Sequence, residues 1–159
     1  MTDIQTLMRT MPQQGRVTFL GVRPGKGEPM HVSEALEARP GAGLTGDRFA
    51  ARRTLREVTL IQQEHIDAVA SILGLDSLDP AILRRNIVVA GINLLALKTS
   101  EFSVGDVRFR GTGLAHPCSK MEKALGPGGY NAMRGHGGIT ACLVSQGVIH
   151  LGDRVIANL

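Results

Sequence analysis

The feature that most constrains this chain is a series of short β-branched segments separated by tight-turn dipeptides. Gly-Asp lies just before or inside such a segment at 105–106 and at 152–153, and it occurs a third time at 46–47. Glycine and aspartate are favoured in tight turns, so we interpret each pair as a turn rather than as a ligand site. Short strands joined by tight turns predict a small barrel or a curled sheet.

Hydrophobic periodicity predicts the individual elements. Strands are predicted at 16–22, 57–61, 86–89, 139–145 and 148–157, together with a hairpin over 101–111 that turns at 104–106. The clearest helix covers 62–73, because its apolar residues share one face and Gly74 follows as a C-terminal cap. A shorter helix begins at Asp79 and Pro80 and ends at Arg84 and Arg85. Residues 33–38 form another short helical candidate.

Length and composition narrow the classes of protein to which this chain can belong. Its 159 residues predict one domain over 15–159, preceded by a flexible leader at 1–14. No apolar run is long enough to span a bilayer and no secretory signal is present, so we expect a cytoplasmic protein without a membrane partner. The net charge of +4 and the 3% aromatic content favour a small anionic ligand over a nucleic acid, which needs stacking platforms.

Cys118 is the strongest candidate for chemistry in the sequence. It closes the segment 111–118, in which two glycines and a proline are expected to break both helix and strand. His116 and Lys120 flank it, and basic neighbours favour the thiolate, which attacks electrophiles or binds metal. The alternative is a loop cysteine without a function. The second cysteine, Cys142, lies in an apolar run and is expected to be buried and inert.

Other sites for metals and phosphates have little support in the sequence. It contains no C-x-x-C, no H-E-x-x-H, no acidic calcium loop and no phosphate-binding P-loop. His116 and Cys118 with a third ligand such as His136 could form a zinc site, although spacing alone cannot establish one.

Seven segments, taken in order, resemble the MOSC domain, named after the C-terminal domain of molybdenum cofactor sulfurases. The most specific are the block R-R-N-I-V-V-x-G, the P-C pair at 117–118 and the closing G-D-x-V. The resemblance covers roughly Gly15 to Ile156 and is carried by these segments: 43–48, 56–61, 84–91, 102–107, 117–121, 137–141 and 147–155.

The resemblance implies a mainly β fold, a closed or partly closed β-barrel with a few peripheral helices. It also implies that Cys118 is the family's loop cysteine, the thiolate ligand of molybdenum in relatives that carry molybdenum cofactor and reduce N-hydroxylated compounds. His116 would tune the thiol or carry protons, and Asn86 would orient a ligand. The cofactor's phosphate would be held by arginines, for which the candidates are Arg48, Arg52, Arg53, Arg84, Arg85 and Arg134.

Three functions remain open at this point. The first is a molybdenum-dependent reductase of a small N-hydroxylated substrate, supplied with electrons by a reductase partner. The second is a sulfur carrier that holds a persulfide on Cys118 and receives sulfur from a donor protein. The third is a binding module without chemistry of its own.

Overall fold

A computed structural model describes residues 2–49 and 55–159. Within these residues the strands, in chain order, are β1 Gly15–Val22, β2 His31–Val32, β3 Ala35–Arg39, β4 Gly43–Leu44, β5 Val58–Gln62, β6 Ile87–Ala90, β7 Glu101–Val104, β8 Val107–Leu114, β9 Ile139–Leu143, β10 Gly147–His150 and β11 Arg154–Asn158. The α-helices are α1 Ile4–Met8, α2 Gln63–Ile72, α3 Ser119–Leu125 and α4 Gly129–Met133. Two short 3-10 helices cover Pro80–Leu83 and Leu94–Leu97.

Seven of these strands close into a barrel. Around the barrel the order is β1, β6, β5, β9, β8, β7 and β11, and the pairing of Gly15 with Val155 joins β11 back to β1. All neighbours are antiparallel except β5 and β6, which are parallel. Strand β2 extends β1 at one side, and β10, β3 and β4 form a second small sheet. The expected mainly β barrel with a few helices is therefore confirmed.

Two hydrophobic clusters stabilise this arrangement. The first is the barrel cluster, where Phe102 and Phe109 stack with ring centroids 5.3 Å apart. The second joins the outward-facing side chains of β5 and β6 to α2, α3 and α4. In it Met121 of α3 is 3% exposed and Met133 of α4 is fully buried, so both short helices are anchored to the barrel wall by apolar packing.

The sequence predictions for most of the barrel strands, the 101–111 hairpin and the 62–73 helix are confirmed within a few residues at their ends. The helix predicted at 33–38 is wrong, because this segment contains strand β3. Leu36 and Ala38 are buried while their neighbours are exposed, and Leu36 pairs with Ile149 of β10. Pairing with a strand more than a hundred residues away outweighs the local helix propensity of alanine, leucine and glutamate.

A second correction concerns the glycines before Cys118, which do not end the strand. Strand β8 continues through Gly111 and Gly113 to Leu114, with a register shift against β9 between the two glycines. A Cβ on Gly111 would collide with the carbonyl oxygen of Leu97, so glycine lets β8 approach the 3-10 helix closely. The predicted loop therefore begins only at residue 115.

The leader contains α1. Asp3 caps the N-terminus of this helix, because its side chain accepts a hydrogen bond from the Thr6 backbone N–H (2.9 Å). Met11 packs against the barrel cluster, and Arg154 donates to Gln14 Oε1 at 3.3 Å. No helix within residues 2–49 and 55–159 is long and apolar enough to cross a membrane.

Candidate functional site

The barrel topology brings four connections together at one end. Leu20 pairs with Ile87, Ile87 with Leu60, Leu60 with Ile139, and Ile139 with Leu114, so these five residues lie at one level around the barrel. At this level β1 and β8 end, while β6 and β9 begin. The segments that follow or precede these strands therefore meet at this end, although they are distant in sequence.

Cys118 lies in one of these connections, at the end of the cysteine loop (residues 115–118). It is the N-cap residue of α3, and its carbonyl accepts a hydrogen bond from the Met121 backbone N–H at 2.9 Å. The thiol is exposed and not in a disulfide. Met121, in the first turn of α3, is buried, so the start of the helix that carries the surface thiol is held in place by packing. The His116 side chain, two residues earlier, is also exposed.

Arg85 connects the cysteine loop to the segment before β9. Its Nη2 donates to the carbonyls of Ala115 (3.2 Å) and His116 (3.4 Å), and its Nε donates to Gly137 at 2.8 Å. Its Nη1 donates to the Leu83 carbonyl at 3.3 Å. Most of this guanidinium's donors are thus engaged with backbone carbonyls, so Arg85 holds two connections in place.

Asp47 is the centre of a second network at this end. Arg23 donates to it from its backbone N–H, from Nε and from Nη2, at 2.8, 3.2 and 2.9 Å. Phe49 N–H and Asn86 Nδ2 add two more bonds, and the Asp47 side chain is fully buried. Burial alone would raise the pKa of Asp47, but the bonds from Arg23 outweigh it, so the pKa lies below its ordinary value.

Asn86, predicted to orient a ligand, is fully buried inside this network. Its Oδ1 accepts from the backbone and the hydroxyl of Thr59 (3.1 Å each), and its Nδ2 donates to the Gly21 carbonyl and to Asp47 (3.1 Å each). Both amide hydrogens are therefore used within the protein. The structure gives Asn86 the role of fixing Asp47 rather than a free face for a ligand.

Four guanidinium groups surround these networks, and we call Arg23, Arg48, Arg84 and Arg85 the arginine cluster. Burial, then the charges of Arg23 and Arg48, lower the pKa of Arg84, which the Asp47 carboxylate only partly opposes. Burial, then the charge of Arg23, lowers the pKa of Arg85 to about 10, opposed by the charge of Cys118. The charges that act on Arg84 and Arg85 are thus mostly positive, and Cys118 lies close enough to Arg85 for their charges to interact.

Arg84 has an unusual backbone conformation. Its φ is 59°, which makes it the one non-glycine residue with positive φ among residues 2–49 and 55–159. The side chain donates to the carbonyls of Glu28 (2.6 Å) and Gly25 (3.5 Å), in the connection after β1. Such a conformation costs about 1–2 kcal/mol outside glycine and persists only where surrounding contacts fix it.

Arg134 is exposed at the end of α4 and donates to Asn131 Oδ1 at 3.4 Å. Arg52 and Arg53 lie outside the described residues. Among residues 2–49 and 55–159 no three His, Cys, Asp or Glu side chains group as a metal site, so the zinc alternative has no support there. Cys142 is only partly buried, and burial, then the charge of Glu57, raises its thiol pKa.

Sequence reasoning missed two members of the site, Arg23 and Asp47. Asp47 belongs to a Gly-Asp pair that we interpreted as a turn, and Gly46 does turn the chain there with a φ of 90°. No local signal identifies either residue, because their role arises from a contact across 24 residues of sequence.

Comparison with known proteins identifies the family. The model of the MOSC domain matches residues 45–156 of this chain. The chain belongs to the MOSC domain family. The match includes the cysteine loop and the segment before β6 that carries Arg84, Arg85 and Asn86. No curated protein is similar enough in sequence to be matched.

Solved structures agree on the fold. The YuaD protein of Bacillus subtilis is 18% identical, with a TM-score of 0.77 over 92% of this chain and 97% of that one. YiiM of Geobacillus stearothermophilus is 12% identical, with a TM-score of 0.70 over 91% and 75% of the two chains. YiiM of Escherichia coli is 16% identical, with a TM-score of 0.67 over 91% and 70%. At these identities the likeness concerns the MOSC fold alone.

Proposed function

We propose that this MOSC protein binds molybdenum cofactor through the thiolate of Cys118 and reduces N-hydroxylated compounds. The observation that carries the proposal is an exposed thiol, not in a disulfide, that lies close enough to Arg85 of the arginine cluster for their charges to interact. Family membership supports it, because MOSC domains are associated with molybdenum cofactor. A soft thiolate suits a soft metal, and clustered guanidinium groups suit a phosphate.

The residues at this end of the barrel fit such a cofactor. Cys118 would ligate the metal, since its thiol is accessible and not in a disulfide. Arg48, which is exposed, and Arg84 would contribute most of the affinity for the phosphate. Arg85 and Asn86 are already engaged with the protein, so their role is to position the cysteine loop and Asp47. Arg134, which is exposed at the end of α4, would be a secondary contributor.

When bound, the cofactor supplies two-electron chemistry that removes oxygen from nitrogen. The balance is an N–OH group plus two electrons and two protons giving N–H and water. The electrons must come from a separate reductase, which is the expected partner. His116 is exposed in the cysteine loop and would carry protons to the departing oxygen. We expect the substrate to be small and the protein to act in the cytoplasm.

Elemental analysis after expression in a host that makes the cofactor tests the proposal. Wild type should carry molybdenum in a near-stoichiometric amount, and Cys118→Ser should lose it. Cys142→Ser is the matched control, because this cysteine is also unpaired but lies on β9 among the barrel strands. Wild type without molybdenum, or Cys118→Ser with the wild-type content, would refute the role of this thiol as metal ligand.

The exposure of Cys118 also favours the second candidate, a sulfur carrier, because a donor protein can reach an exposed thiol. In that case wild type incubated with a cysteine desulfurase and free cysteine should take one sulfur atom from the persulfide of the desulfurase and gain its mass on Cys118, and Cys118→Ser should not. A protein that gains neither molybdenum nor sulfur would be left with the third function, a binding module.

A further inference from the structure

A small cavity lies beside the cysteine loop and has no role in the proposal above. Its volume is about 130 Å³. One side is formed by residues 114–117, the other by Gly135, Gly137 and Gly138, and Leu95 completes the lining. Pro117 is directly followed by Cys118, and consecutive Cα atoms are about 3.8 Å apart. A group bound in the cavity therefore lies next to the residue that carries the thiol.

Hydrogen bonds hold the two sides of this cavity at a fixed separation. The Ala115 N–H donates to the Gly138 carbonyl at 2.9 Å. Arg85 donates to Ala115 on one side (3.2 Å) and to Gly137 on the other (2.8 Å). A Cβ on Gly137 would collide with the Ala115 carbonyl oxygen, so the two segments approach as closely as glycine allows. The cavity is thus formed before any ligand arrives, which reduces the entropy lost on binding.

The chemistry of the lining limits what the cavity can hold. Leucine, alanine and proline side chains and three glycines form most of it, and His116 is its one titratable side chain. A charged group would lose its hydration there without meeting a formal opposite charge in the lining. Apolar cavities of about 150 Å³ bind benzene, so a cavity of about 130 Å³ suits at most one ring.

We propose that this cavity binds an uncharged group no larger than a single six-membered ring, with His116 available to hydrogen-bond a polar atom on it. If the proposed reductase function holds, on which this assignment to the substrate rests, the group is the part of the N-hydroxylated substrate next to the reacting nitrogen. The cavity then sets specificity: compounds with one compact ring or a short aliphatic chain are accepted, and larger fused rings are disfavoured.

Phenol is the probe, because it combines one ring with one polar atom. Titrated into the full chain without cofactor, it should shift the amide NMR signals of residues 114–116 and of Gly135, Gly137 and Gly138. Leu114→Trp places an indole against the cavity and should weaken phenol binding about tenfold or more. Ile156→Trp is the matched control, because Leu114 and Ile156 are equally exposed (38%) but Ile156 lies on β11, outside the lining.

Shifts confined to other parts of the chain, or equal phenol affinity in the two tryptophan variants, would overturn the inference. Leu95→Phe enters the cavity from another part of its lining and replaces Leu114→Trp if that variant does not fold. Phenol binding is measured without molybdenum, so its failure is distinct from failure of the proposed function, which is read as metal content in wild type. Leu114→Trp keeps Cys118 and the arginine cluster and should retain molybdenum at the wild-type level.

Discussion

Replacing Arg85 by methionine tests whether one guanidinium holds the cysteine loop in position. Methionine keeps much of the apolar stem but removes all the donors. Four carbonyls then lose a partner: those of Gly137, Ala115, Leu83 and His116. The bond to His116 is exposed, so water replaces it at little cost, whereas the other three are partly buried.

The size of the effect follows from these bonds. A hydrogen bond contributes roughly 1 kcal/mol net, so three partly buried bonds amount to about 3 kcal/mol. Burial, together with the charge of Arg23, lowers the pKa of Arg85 to about 10, so burial works against the charged guanidinium at this position. Its removal recovers part of the loss, so we expect the free energy of unfolding to fall by ~2 kcal/mol. For a chain of this length that lowers Tm by roughly 4–8 °C.

Urea denaturation gives the free energy of unfolding, and hydrogen exchange at the Ala115 amide reports the local effect. This amide bonds to the Gly138 carbonyl (2.9 Å) across the two segments that Arg85 joins, so its protection should fall in Arg85→Met. Arg134→Met is the control, because Arg134 is exposed and its one side-chain bond, to Asn131, is long (3.4 Å). We expect it to stay within about 0.5 kcal/mol of wild type.

The reasoning fails if Arg85→Met is as stable as Arg134→Met and leaves Ala115 equally protected. That outcome would mean that the carbonyls find water or other donors without a penalty. Arg85 would then not hold the two connections in place, and its charge would be its main contribution to the site.

Two further predictions concern His65, whose ring meets that of His136 edge-on with centroids 5.1 Å apart, and the backbone conformation of Arg84. Burial, and then the charge of His136, hold the pKa of His65 below its ordinary value of 6.5. As the pH falls through this range, the unfolded chain therefore binds a proton at His65 more readily than the folded chain does. The free energy of unfolding should consequently fall from neutral pH to about pH 5. His65→Gln should flatten that dependence in urea titrations, and an unchanged slope would contradict the assignment. Arg84→Ala and Arg84→Gly both lose the bonds to Glu28 and Gly25, but only glycine adopts the φ of 59° without strain. The free energy of unfolding of Arg84→Gly should therefore exceed that of Arg84→Ala by about 1 kcal/mol. Equal values for the two variants would show that the conformation is not strained.

Much of the fold was predictable because the local sequence indicates most of the barrel strands and the turns between them. The 86–89 segment is a β-branched run, and Gly105 and Gly152 turn the chain where the Gly-Asp pairs stand, both with positive φ. Strand β3 was not predictable in this way. Its residues have good helix propensity, and only pairing with β10, far along the chain, makes them a strand. The glycines in β8 were wrongly predicted to end the strand for a related reason. The role of Gly111 depends on its contact with the nearby 3-10 helix, which the local sequence does not specify.

The candidate site divides along the same line. Cys118 stood out because its loop and basic neighbours favour a thiolate, and the Arg84–Asn86 block stood out because it resembles the MOSC domain. Asp47 and Arg23 did not, because their meaning arises from a contact across 24 residues that no local pattern specifies. The role of Asn86 likewise could not be read from its type. An amide can bind a ligand or fix a carboxylate, and burial decides between the two.

The hydrogen bonds of Arg85 explain why one arginine would not be enough for the proposed function. A guanidinium has five N–H donors in a fixed fork, and Arg85 makes four hydrogen bonds with them to backbone carbonyls. In the proposed function it would therefore not present a two-pronged face to the cofactor's phosphate, and Arg48 and Arg84 would hold that group instead. Lysine could not replace Arg85, because a point charge on a flexible stem cannot join two segments from one plane. If the proposed function holds, positioning the cysteine loop and attracting the phosphate are thus separate tasks, performed by neighbouring residues of the same charge.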